Sequence, residues 1–302
     1  GELGQAARSS GDAARGAVVF FQPYMACAKC HIAGKAGPQS LGPDLTAVGS
    51  QVTDEALVES VLLPSKVIRQ GYQTVTAVTA EGQTVTGLLA GQTPEQLVVR
   101  DVTRGGEATT FAKSELDDWK LNDASIMPAG QANSLHSRQQ FLDLIRYLIE
   151  IRDGGAVRAL QLQPPASLLT FTVPEYEKQI DHAGMIGDWD TEAFQRGEAI
   201  YQRVCANCHG TLDKPGSLPT SLRFAEGKFK NGGDPLSMYR TLTHGFGLMA
   251  PQTWMVPSQK YDVIHYIREA YLKGRNPSQF VAVDAAYLQE LPAGDTRGPE
   301  PS

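Results

Sequence analysis

The sequence predicts a mainly α protein made of two similar halves, the first interrupted by a small antiparallel β insert. Three observations predict it. A Cys-x-x-Cys-His pentapeptide occurs twice, at positions 27–31 and 205–209. Each is preceded by one stretch of helical periodicity and followed later by another. Between Tyr72 and Phe111 the pattern changes from helical to alternating, as strands require.

In the first half, Asp12 is placed to cap a helix carrying Gly16, Phe20 and Phe21; in the second, Asp190 or Thr191 is placed to cap one carrying Phe194, Gly197, Ile200, Tyr201 and Val204. A glycine inside a helix costs about 1 kcal/mol relative to alanine, so Gly16 and Gly197 predict close approach by another helix. The partners are the stripe Phe141, Leu144, Ile145, Leu148 and Ile149, and the stripe Tyr261, Ile264, Ile267 and Ala270, with Pro257 at a first helical turn. The insert reads as strands at 74–79, 84–89, 96–101 and 107–111, joined by Glu81-Gly82 and Arg104-Gly105-Gly106. Pro164-Pro165 and Pro174 mark extended chain. The expected organisation is a first domain at 1–153 with the insert at about 72–112, a linker at 154–188, a second domain at 189–290 and a tail at 291–302.

At 302 residues, 41% hydrophobic and 20% charged, the chain has a soluble globular composition. No apolar run approaches the roughly 20 residues of a membrane helix. The start, Gly1 to Arg8, lacks the pattern of an export signal, which predicts either a removed leader or a longer parent chain. A net charge of -6 with no basic stripe excludes nucleic acid as a partner.

All four cysteines lie in the two pentapeptides. Two thiols three residues apart on one helical turn each reach a vinyl group of a porphyrin, while the adjacent histidine turns its imidazole to the iron. Cys27, Cys30 and His31 therefore predict one covalently bound haem c, and Cys205, Cys208 and His209 a second. The competing readings are zinc, which wants its second ligand pair close by in sequence, and dithiol redox chemistry. Covalent haem attachment takes place outside the cytoplasm, so a periplasmic or otherwise exported protein is expected.

Before each closing helix stands a methionine near a proline, Met127-Pro128 and Met249-Ala250-Pro251. Met127 and Met249 are the candidate sixth ligands, since a thioether opposite histidine favours ferrous iron and raises the potential. Met255 competes in the second half, at the edge of the closing helix. The remaining histidines, His136, His182, His244 and His265, are alternatives that would give a lower potential; His244 leads most directly into Met249.

This arrangement resembles class I cytochrome c modules in both halves: Gly-x3-[Phe/Tyr], the pentapeptide, a methionine with proline, and a closing helix whose aromatic is matched by Tyr147 and Tyr266. Gly42-Pro43-Asp44-Leu45 resembles the family loop whose proline carbonyl accepts a hydrogen bond from the proximal histidine, which implies that role for Pro43 and, less directly, for Pro219. The segment 41–49, with Leu63-Pro64-Ser65-Lys66-Val67-Ile68 and Gly71-Tyr72, also resembles a haem-binding domain abundant in planctomycetes and verrucomicrobia, over about 16–151.

The expected function is electron transfer between two haems and a redox partner protein, with a dehydrogenase or further domains of a longer chain as candidates. The competing reading is a di-haem enzyme of the peroxidase kind, which needs an open iron. The insert is expected to be structural elaboration, with cover for the haem edge or partner docking as its other readings.

Overall fold

The computed structural model describes residues 1–34, 40–101, 106–169, 172–218 and 221–301. The chain forms two compact units, Gly1–Thr170 with Ser217–Thr220, and Phe171–Gly216 with Ser221–Ser302. Among the described residues, no helix is long and apolar enough to cross a membrane.

The first unit opens with α1 (Glu2–Ser10). Next comes α2 (Ala13–Phe21), where the Asp12 side chain accepts from the Arg15 amide as a cap. The pentapeptide supplies one helical turn, α3 (Cys27–Cys30). A further helix, α4 (Asp54–Leu62), is capped by Thr53 and carries Asp54 and Glu55 in its first turn, where they face the positive end of the helix dipole. The long α5 (Arg138–Gln161) buries Leu144, Ile145, Tyr147, Leu148 and Ile151 against Ala17 and Phe20 of α2. Gly16 is the crossing point: a Cβ there would lie 1.9 Å from the Asp143 carbonyl oxygen. Helix α5 passes the expected domain end at 153, bending at Gly155, and places Ala159 in the same core.

The insert has five strands: β1 (Thr74–Thr79), β2 (Thr84–Gln92), β3 (Gln96–Asp101), β4 (Glu107–Ala112) and β5 (Leu116–Asn122). The antiparallel order is β4-β3-β2-β1-β5. Val75 and Ala77 of β1 and Leu97 and Val99 of β3 are buried on one face. Phe111 from one edge strand and Trp119 from the other pack on the same four residues, and the Lys113 ammonium sits 4.7 Å above the Trp119 ring. The sheet thus curls until its two edges share one core.

The second unit contains α6 (His182–Gly187) and α7 (Thr191–Ile200), the latter capped by Asp190. Helix α7 runs through a π-helical turn, Tyr201–Cys205, into α8 (Ala206–His209). Helix α9 (Pro235–His244) starts at the Asp234 cap. Helix α10 (Pro257–Ile267) continues through a second π turn, Arg268–Leu272, into α11 (Lys273–Arg275), and α12 (Ala285–Glu290) lies near the end. Helices α7 and α10 cross at Gly197, where a Cβ would lie 2.0 Å from the Asp262 carbonyl oxygen.

Two expectations are corrected here. The expected linker is not a bare connection over its described residues, 154–169 and 172–188, which contribute Ala159 to the first core and Met185 and Ile186 to the second. The tail is docked, because Asp295 and Thr296 donate to the Gln179 carbonyl and Asp181 donates to that of Thr296.

Candidate functional site

In the first unit Ala26 takes a left-handed conformation, φ 56°, which stops the chain leaving α2 and starts the separate turn of α3. The His31 amide closes that turn on the Cys27 carbonyl at 2.9 Å. His31 then swings out with its Nδ1 at 3.0 Å from the Pro43 carbonyl. A carbonyl only accepts, so the ring proton sits on Nδ1 and the Nε2 lone pair is left for a metal.

The loop carrying Pro43 lies directly against the imidazole. A Cβ on Gly42 would lie 2.7 Å from His31 Cε1, so the position admits only glycine. The Gly42 amide donates to the Cys30 carbonyl at 2.8 Å, and the Leu45 amide to that of Ile32 at 3.0 Å. Burial pushes the His31 imidazole below its ordinary value, against the pull of the Pro43 carbonyl, which keeps it in the neutral, ligating form.

The second unit repeats the arrangement with a different acceptor. His209 Nδ1 lies 2.8 Å from the Leu222 carbonyl, and its ring stacks on Phe224 at 4.6 Å and 17°. Leu222 stands where the sequence pointed to Pro219, which lies outside the described residues. Burial lowers the His209 imidazole too. The Tyr201 hydroxyl donates to the Gly210 carbonyl at 2.7 Å and ties the chain after the pentapeptide to α7.

The thiols are shielded rather than activated. Burial pushes Cys27 and Cys205 up to about 12 and Cys208 up to about 11, and raises Cys30 as well. A dithiol redox pair is served by a lowered thiol pKa, and burial here works against that. Nor does a group of three or more His, Cys, Asp and Glu converge on one point among the described residues, as a closed zinc site would require. An apolar surrounding that disfavours thiolate suits thioether sulfur, which carries no charge. Close to Cys27, the buried Tyr147 hydroxyl has no hydrogen-bond partner among the described residues, as expected of a pocket wall that a further group completes. The residues present thus fit haem c.

Met127 is half-buried on the core that includes Cys27 and Tyr147, and its amide donates to Ser125 Oγ at 3.1 Å. Met249 is half-buried on the core that includes Cys205 and Leu222, in a tight turn where Phe246 and Met249 exchange two 3.0 Å backbone bonds. Met255 is fully buried in that core. The other histidines are placed differently. His136 and His244 are exposed, His182 Nδ1 bonds the Tyr261 hydroxyl at 2.7 Å, and His265 stacks on Trp189 at 4.9 Å.

One repeated device was missed from sequence. Arg15, beside Gly16, bonds Asp143 at 2.8 Å across the first crossing, and Arg196, beside Gly197, bonds Asp262 at 2.7 Å across the second. The signals were an Arg-Gly dipeptide at 15–16 and 196–197 and Asp-x3-Tyr at 143–147 and 262–266.

The family model described as cytochrome C oxidase, cbb3-type, subunit III matches residues 192–267, a span that takes in all but the first residue of α7, the second pentapeptide, Met249 and α10. No curated protein matches the chain. A cytochrome c domain is therefore present in the second unit. That domain implies haem c and supports electron transfer by a haem protein.

Proposed function

We propose that the chain is a di-haem c-type cytochrome that passes single electrons between two haem domains and a redox partner protein in an exported compartment. The observation that carries this reading is the repeated constellation. In each unit a glycine crossing is locked by an Arg–Asp pair, a tyrosine follows the aspartate by one turn, and a Cys-x-x-Cys-His turn has its histidine Nδ1 on a backbone carbonyl. Only the second of these falls within the family match. The first haem domain rests on the likeness of its parts.

Haem c, when bound, supplies one-electron exchange between ferric and ferrous iron. The chain's residues do the rest. Cys27, Cys30, Cys205 and Cys208 attach the two groups. His31 and His209 bind as neutral imidazoles whose Nδ1 protons are held by Pro43 and Leu222. Met127 and Met249 would each offer a thioether sulfur to the iron, and the apolar cores around them would exclude water, which raises the potential.

The test is a haem count and a set of spectra. The purified protein should carry two haems per chain, and Cys27→Ala/Cys30→Ala should carry one. Met127→Ala and Met249→Ala should each remove part of the sulfur-to-iron absorption band in the oxidised protein. A single haem in the unmutated chain refutes the first site, and unchanged spectra in both variants refute the sixth ligands. A high-spin signal in the unmutated protein would replace this reading with the peroxidase-like one.

A further inference from the structure

The β sheet touches two loops of the first site, the one that leads to Pro43 and the one that leads to Met127. At the first loop, Arg100 projects from β3 and its Nη2 donates to the Ser40 carbonyl at 2.8 Å, while its Nε lies 3.3 Å from the Gly106 carbonyl. Ser40 begins the loop that fixes His31. Its hydroxyl sits between the Cys30 and Gly42 carbonyls, Gly42 presses on the imidazole, and Pro43 accepts the Nδ1 proton. At the second loop, Thr74 Oγ1 of β1 donates to the Ala124 carbonyl at 3.1 Å, and Asn122 at the end of β5 donates to Thr74 Oγ1 at 3.1 Å. Ser125 follows directly, donating its amide to Ser65 Oγ and accepting that of Met127.

The base of this device is stiff. β3 is paired on both sides, with Arg100 opposite Leu88 of β2 and Ala108 of β4. Thr74 is fully buried and lies opposite both Leu88 and Asn122. A two-residue change of register or a loosened strand would move both loops together.

We propose that the β insert is a positioning element for the first haem centre, and that Arg100 is its principal proximal residue, acting on the His31 ring through Ser40, Gly42 and Pro43. This rests on the first haem site proposed above. A histidine whose Nδ1–H is held by a good acceptor is more basic and favours ferric iron; slackening that bond favours ferrous iron. Removing Arg100 therefore has two opposite effects. Losing its grip on the loop raises the potential, whereas losing its positive charge stabilises ferric iron and lowers it. The sign of the shift tells positioning from simple charge.

The experiment is a redox titration of the holoprotein followed by absorption, in which the first centre is the component also displaced by Met127→Ala. Arg100→Met should raise the ferrous-to-ferric ratio of that centre at a fixed applied potential, because the Pro43 carbonyl then holds the His31 proton less firmly. Arg100→Gln, which keeps one donor, should fall between Arg100→Met and the unmutated protein, and it carries the test alone if Arg100→Met does not load two haems. Glu81→Gln, at the exposed β1–β2 turn, should leave both potentials unchanged. An unchanged or lowered first-centre potential in the loaded Arg100 variants overturns the proposal, as does an equal shift in Glu81→Gln. A haem count of one in the unmutated chain overturns the first-site reading itself, and with it this inference.

Discussion

Asp143 and Asp262 occupy the same place in two helix crossings, yet their carboxyls are pushed in opposite directions. Burial works to raise Asp143, but Arg15, the Asp12 amide at 2.8 Å and Gln139 at 2.8 Å outweigh it and hold the group below its ordinary 3.8. Asp262 is held by Arg196, and there burial prevails, leaving the carboxyl above 3.8. The signs follow by linkage. Ionised Asp143 stabilises the fold above the unfolded value, and that contribution is lost as pH falls through its depressed folded pKa. Asp262 gains stability for the fold as pH falls through its raised folded pKa toward 3.8. Carbon-13 titration of side-chain carboxyls in the reduced protein should place Asp143 below and Asp262 above 3.8; equal midpoints would refute the account. Asp143→Asn should lower stability at neutral pH and lose that effect in strong acid. The two Cys-x-x-Cys-His turns were legible in the sequence because side-chain chemistry marks them. The Leu222 carbonyl was not, since every residue offers a carbonyl and only the fold selects one.

At the scale of elements, the two crossings depend on having no Cβ at Gly16 and Gly197. Alanine is the better helix former by about 1 kcal/mol, but here its methyl carbon would fall within 2.0 Å of a backbone oxygen on the facing helix, which no side-chain rotation relieves. Overpacking of this kind costs about 1–3 kcal/mol. Gly16→Ala and Gly197→Ala should therefore each lower the denaturant midpoint, with a net loss of about 2 kcal/mol or less after the gain in helix propensity. Gly274, with nothing within 4 Å of a built Cβ, is the control; Gly274→Ala should be neutral or slightly stabilising. These crossings were readable from sequence because glycine in an apolar helix has few other uses. Strands β1 to β4 were readable from alternation. β5 was not, because it is an edge strand in which Asp117, Asp118 and Lys120 are exposed, and a register irregularity opposite Val78 and Thr79 puts Leu116 and Trp119, three residues apart, on the same core. Helix α9 escaped notice although its Asp234 cap and Pro235 at the first turn were present.

At the scale of the whole molecule, the proline-marked stretch before the second pentapeptide shows how a local signal is overridden by burial. Pro174 caps a short 3-10 helix, Glu175–Lys178, instead of starting extended chain, and from it Glu177 enters the second unit's interior and meets Lys260 of α10 at 2.7 Å, with side chains only 5% and 4% exposed. The Lys260 ammonium also donates to Thr243 Oγ1 at 2.9 Å, and the Tyr239 hydroxyl donates to Glu177 at 2.6 Å. His182, from the same stretch, bonds Tyr261 of α10. Thr243 lies at the end of α9, from which the Met249 turn departs, so residues outside the family match brace the helices on either side of that turn. A buried pair of this kind adds little net stability, yet breaking it strands one charge at a cost of about 3–5 kcal/mol. Glu177→Gln and Lys260→Met should each destabilise the second unit by that order, while Glu177→Leu/Lys260→Met should recover most of the loss. The same reasoning sets the unit's true start. A fragment beginning at Trp189 leaves Lys260 unpaired, and should unfold at lower denaturant than one beginning at Pro174, with its haem absorption changing in the same transition. Equal midpoints would show that 174–188 is the dispensable linker that Pro174 suggests.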